Sequence, residues 1–150
     1  MNITSAMRHH VNCSWMLLKV TYGLFFLIIG VDKFFNVITS WQRFINPVIF
    51  QKLADMSVQM DQSMMVLGAI EIAIGLLILT HMTRIGAYIA AVYLFIAAFN
   101  MLSMGTISTA NYALIAGPFT DVALKDVVLG VGALVLAYLT TIHTEIYAKK

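Results

Sequence analysis

The sequence is short of charge, of cysteine and of proline, and each shortage closes off a class of function. Only 11% of its 150 residues are charged against 61% hydrophobic, with a mean hydropathy of +0.88. A soluble domain of this size cannot bury that much apolar surface, so the chain belongs in a bilayer. The net charge of +2 is dispersed, and no run of Lys or Arg offers a nucleic-acid footprint. Cys13 is the single cysteine, so no intrachain disulfide, CxxC redox pair or thiolate metal site can be built. If the chain handles electrons, a cofactor or partner must carry them. No nucleophile elbow, glycine-rich phosphate loop, zinc motif or dinucleotide fingerprint is present. The two prolines, Pro47 and Pro118, both fall in connections rather than in apolar runs.

What the sequence has in quantity is long apolar runs. A hydrocarbon core of about 30 Å needs about 20 apolar residues per helix, which allows four crossings with little chain left over. We read an all-α, four-transmembrane-helix bundle as a single integral membrane domain, with helices at about residues 15–36, 62–80, 84–102 and 121–142. Arg8, His9 and His10 precede the first run in the manner of a secretory signal. That run carries Lys19, continues to Val31 and lacks an A-x-A-like cleavage site, so it is read as a retained first helix. Residues 39–61 mix Trp41, Phe44, Pro47 and Phe50 with Arg43, Lys52 and Asp55, as expected of a longer amphipathic connection on the membrane surface, broken at Pro47. Residues 112–119 form an apolar connection between helices three and four, lying on or dipping into the bundle mouth, with Thr120 and Asp121 expected to cap helix four.

Small residues recur at helical spacing and mark packing seams: Gly23 and Gly30; Gly68 and Gly75 with Glu71 between them; Gly86, Ala90, Tyr93, Ala97 and Asn100; Asp126, Gly130, Ala133, Ala137 and Thr140. Glu71 stands out, because a carboxylate among aliphatic residues costs several kcal/mol unless it is paired, protonated or wetted. Four crossings put both termini on one side. That side carries five of the nine cations, Arg8, Lys19, Arg84, Lys149 and Lys150, so the positive-inside rule points to cytoplasmic termini. At 1.5 Å per residue, Asp32, Asn100 and Asp126 fall about 5–10 Å below the outer boundary and Glu71 about 10–15 Å below it. Lys33 and Lys125 are long enough to reach Glu71. The expectation is a buried polar cluster of Asp32, Lys33, Glu71, Asn100, Lys125 and Asp126 in the outer half of the bundle, with Glu71 the carboxylate kept protonated or wetted.

The four histidines, His9, His10, His81 and His143, map to the terminal side without a ligating pattern, so no metal site is expected. The methionines around the start of helix two, Met56, Met60, Met64 and Met65, read as adaptable packing that also accommodates a lipid or quinone tail. Trp15, Trp41, Phe44, Phe50, Tyr112 and Phe119 read as interfacial anchors.

Three stretches carry a family resemblance. Gly23-Leu-Phe-Phe-Leu-Ile-Ile-Gly-Val-Asp-Lys-Phe-Phe is similar to the first helix of the DoxX/DoxD-like family of small four-helix membrane proteins, with its Gly-x-x-Lys signature at Gly30 to Lys33. The stretch from Gly68 through Glu71, His81 and Arg84 to Ala87 resembles the second and third helices, with the in-membrane Glu at Glu71 and the turn Arg at Arg84. Ala123-Leu-Lys-Asp-Val-Val-Leu-Gly resembles the fourth. The likeness runs over residues 17–138. It implies a bacterial inner-membrane protein, in some relatives a subunit of a quinone-linked oxidoreductase. On that analogy Glu71 and Lys33 are expected to exchange protons or hydrogen bonds with a quinone headgroup while a protein partner supplies electrons. Two other expectations stand beside it: a non-catalytic scaffold subunit or homo-oligomer whose buried charges set packing, and a binder or carrier of a small lipophilic ligand.

Overall fold

The computed structural model describes residues 3–44, 46, 48, 51–52, 55, 59–106 and 116–148. These form four long helices: α1 (Ile3–Phe35), α2 (Met60–Leu79), α3 (Thr83–Thr106) and α4 (Ala116–Ala148), with a short 3-10 turn at Trp41–Phe44. No strand occurs among the described residues. Each helix contains a stretch long and apolar enough to cross a membrane, and the chain is a multi-pass, four-helix membrane bundle. Its outward faces carry Leu17, Ile28, Val66, Ile96, Phe99 and Val128, all exposed, as suits helices wetted by acyl chains.

Neighbouring helices run antiparallel. Gly30 faces Gly68, and Gly75 faces Gly23, so numbers rise on α1 as they fall on α2. The pairs Gly86 with Ile78 and Gly130 with Phe95 set α3 against α2 and α4. Hydrogen bonds from Trp15 Nε1 to Thr140 Oγ1 (2.9 Å) and from Tyr22 OH to the Leu129 carbonyl (2.6 Å) close α1 on α4. The result is an up-and-down bundle. Its core is small-residue rich on α3 and α4, with Ala87, Ala90, Ala91, Ala133 and Ala137 beside Leu94 and Leu136, and is filled from α1 and α2 by Tyr22, Phe26, Ile74 and Ile78. With lipid as solvent, close packing replaces hydrophobic exclusion as the force between helices, and alanine and glycine let backbones approach.

The helices run past the sequence expectation, most of all at the start of α1 and at both ends of α4. α1 begins at Ile3, about twelve residues early, so His9 and His10 lie on helix. α1 and α4, each 33 residues, are about 50 Å long at 1.5 Å per residue, roughly 20 Å more than the hydrocarbon core. They hold one another at the terminal end, where the His143 ring stacks on Trp15 (centroids 4.0 Å) and pairs with Asn12 Oδ1 (3.0 Å). Trp15 is thus a helix-to-helix contact before it is an interfacial anchor. α4 begins at Ala116, which puts Thr120 and Asp121 inside the helix instead of at its cap. Phe119 is buried there against Met101, Met104 and Ala123. Pro47, Phe50, Met56, Tyr112 and the first half of the apolar connection (residues 112–115) lie outside the described residues.

Candidate functional site

The site is built on the closest approach of two backbones. A Cβ added at Gly30 would lie 2.8 Å from the Gly68 carbonyl oxygen, and one at Gly68 would lie 2.7 Å from that of Gly30; both distances are below any real Cβ contact, so only glycine fits. Lys33 and Glu71 each follow their glycine by three residues and therefore share its face. Helical side chains lean toward their own N-terminus. Because α1 and α2 are antiparallel, the two side chains lean toward each other across the glycine contact. Lys33 Nζ donates to Glu71 Oε1 at 2.7 Å and Oε2 at 2.6 Å, with both side chains about 95% buried.

A third donor comes from α3. Tyr93 OH donates to Glu71 Oε1 at 2.5 Å, its ring set edge-on to Phe26. Glu71 therefore accepts three hydrogen bonds, two from the Lys33 ammonium and one from Tyr93, so both of its oxygens are engaged. Sequence reading had placed Tyr93 in a packing seam and missed its role. The available signal was a hydroxyl at a position whose seam neighbours, Gly86, Ala90 and Ala97, are all small.

Asp32 is buried next to this pair but turns to the backbone beyond α1. Asn36 adopts a left-handed conformation (φ 51°), reversing the chain so that Val37 N and Ile38 N both donate to Asp32 Oδ1 at 2.9 Å. Asn tolerates that region better than most residues. The reversal brings Trp41 back over the site: its Nε1 donates to Asp32 Oδ2 at 2.6 Å, and Lys33 Nζ lies 3.8 Å from its ring centroid, a cation–π contact. Trp41 thus covers the ion pair from the outer side, a role beyond the interfacial anchor its composition implied.

The rest of the strap is fastened to α3. Asn100 Nδ2 donates to the Phe44 carbonyl at 2.9 Å, and Asn46 Nδ2 donates to Ser103 Oγ at 2.8 Å. Phe44 meets Phe119 edge-on. Asn100 therefore holds the connection, and it makes no bond to the Lys33–Glu71 pair. Asp126, half-buried on α4, lies within electrostatic range of Lys33 and Glu71 and forms no hydrogen bond among the described residues. Lys125 is exposed on α4 and takes no part: neighbouring residues on a helix diverge by about 100°, so when Asp126 turns inward Lys125 turns out. Of the six residues expected to cluster, the structure joins Lys33 directly to Glu71, ties Asp32 to them through Trp41, leaves Asp126 near by, puts Asn100 on the strap and sends Lys125 outward.

A cavity of about 210 Å³ opens beside the pair at the outer mouth, lined by Lys33, Asn36, Gln42, Asp61, Met64 and Met65 together with Phe34. Gln42 Nε2 donates to Asp61 Oδ1 (3.0 Å) across its rim. No group of three or more metal-ligating side chains occurs among the described residues. Compared with known proteins, the chain matches no family model, no curated protein and no solved structure.

Proposed function

We propose that this chain is a membrane subunit of a quinone-linked redox system in a bacterial inner membrane, with both termini in the cytoplasm. The observation that carries the reading is a Lys–Glu–Tyr centre sealed inside an apolar bundle yet bordering a polar cavity at its mouth. Ionisable groups at such depth are costly and mark functional sites in membrane proteins. The cavity is smaller than the ~300–1,000 Å³ of drug-sized sites, so it suits a single ring, with a tail lying along exposed Met65 and Phe34 at its edge. A quinone would supply the two-electron, two-proton chemistry, with electrons arriving from a protein partner. Lys33 and Tyr93 hold exchangeable protons on either side of Glu71, and Glu71 is the acceptor that links them. The likeness to the DoxX/DoxD-like proteins at Gly30 to Lys33, Glu71 and Arg84 supports the same assignment, and the bias of Lys and Arg toward the terminal side supports the orientation.

One observation favours a second reading, a non-catalytic scaffold subunit. Every buried side-chain nitrogen and oxygen among the described residues already has a partner, as a purely structural lock requires. The double variant Lys33→Met/Glu71→Leu separates the two, since it removes both charges together and leaves neither stranded. Under the redox reading the double variant folds, purifies without quinone by mass spectrometry of its lipid extract, and no longer supports quinone-dependent turnover of its complex. Retained quinone and turnover would leave the scaffold reading in possession.

A further inference from the structure

Ligand access to the centre is restricted by how the Lys33 ammonium is occupied. Of its three N–H bonds, two serve the two oxygens of Glu71. Its remaining side lies under the indole of Trp41, at 3.8 Å from the ring centroid. While that ring stays in place, a carbonyl group entering the cavity finds no free donor on Lys33.

We propose that the face of the Lys33 ammonium covered by Trp41 is the binding site for a planar, carbonyl-bearing ring, and that the indole is its resident occupant, which the entering ring displaces. The proposal rests on the quinone-linked reading and adds to it the position of the headgroup and the group that competes with it. The two occupants exclude one another because each needs the same side of the ammonium: the indole offers it a π face, and the entering ring a carbonyl oxygen that accepts the third N–H.

The way Trp41 is tethered fits a displaceable occupant. Besides its contacts with Lys33 and the Phe44 ring, the indole makes one hydrogen bond, Nε1 to Asp32 Oδ2, and its backbone N–H makes only a long contact of 3.4 Å with Asn36 Oδ1. The other end of the same turn is firmly anchored, with the Phe44 carbonyl gripped by Asn100 and the ring packed on Phe119. The turn can therefore swing about Phe44. Departure of the indole leaves Asp32 Oδ1 with the Val37 and Ile38 amides and opens Oδ2 to water entering through the mouth. Gln42, the next residue, lines the cavity and hydrogen-bonds Asp61 on α2, so the swing also opens the rim through which a ring would enter.

A self-occupied site binds its ligand more weakly by the fraction of time it is open. Deleting the occupant must then tighten binding. The test is equilibrium dialysis of short-chain benzoquinone and naphthoquinone against the full-length chain in detergent, natural and Trp41→Ala. Trp41→Ala is expected to bind about tenfold more tightly or better, as loss of a cation–π contact and its hydrogen bond implies. Asp32→Asn, which weakens the tether and keeps the ring, shifts affinity in the same direction by less and stands in if Trp41→Ala does not fold. Equal or weaker binding by both variants, with the natural chain still binding, overturns the displacement and leaves the quinone reading intact. Absence of binding by every form sinks the quinone reading, and this proposal with it.

Discussion

Replacing the carboxylate at position 71 by an amide leaves the Lys33 ammonium buried without its counter-charge and with one of its two acceptors turned into a donor. Breaking one half of a buried pair costs about 3–5 kcal/mol, whereas replacing both halves by apolar groups of similar size is close to neutral. Glu71→Gln is thus expected to lower thermal stability in detergent sharply, and Lys33→Met/Glu71→Leu to recover most of the loss. A double variant as unstable as the single one would mean that the pair is not the unit described. Tyr93→Phe removes one hydrogen bond to a charged acceptor, about 1.5–3 kcal/mol, and should fall between the natural chain and Glu71→Gln. At this scale Glu71 was legible from sequence, because a carboxylate in an aliphatic run has to be paired, protonated or wetted. Its partner was narrowed by depth only to Lys33 or Lys125, and helix rotation decided for Lys33. Tyr93 and Trp41 were not, since aromatic residues in membrane proteins have common roles in packing and at interfaces that conceal a specific one.

The close contact of α1 with α2 depends on two positions without a Cβ. Gly68→Ala would put a methyl group 2.7 Å from the Gly30 carbonyl oxygen, and overpacking of this kind costs about 1–3 kcal/mol. Because Lys33 Cβ sits 3.1 Å from the same point, the helices would part where the ion pair forms, and loss of stability should come with loss of any quinone signal. An unchanged unfolding midpoint for Gly68→Ala would contradict the helix register. The glycine spacing on each helix could be read from the sequence, and so could the existence of a seam. Which seam met which could not, because spacing within one helix says nothing of the neighbour's rotation. The ends of α1 and α4 were misjudged for a related reason: apolar runs report the bilayer thickness, and these helices continue beyond it by packing on each other through Trp15, Thr140 and His143.

For the molecule as a whole, orientation is testable through its single cysteine. Cys13 is exposed near the terminal end of α1, and Ser40 is exposed at the opposite end. With cytoplasmic termini, a membrane-impermeant maleimide should leave Cys13 unlabelled in right-side-out vesicles and label it in inside-out ones, while Cys13→Ser/Ser40→Cys shows the reverse. The opposite pattern would invert the topology. The amino-acid sequence by itself determined that four helices cross a membrane, because a chain this apolar must satisfy its backbone internally in lipid and only about 20-residue helices fit the thickness. It also determined that Glu71 has to be paired, protonated or wetted. Only the tertiary structure decided that the carboxylate takes donors from α1 and α3 together, that Asn100 fastens a strap instead of joining the pair, and that Trp41 covers Lys33. Those outcomes depend on helix rotation and on a chain reversal at Asn36, which are set by contacts between segments distant in sequence and leave no periodic mark within any one of them.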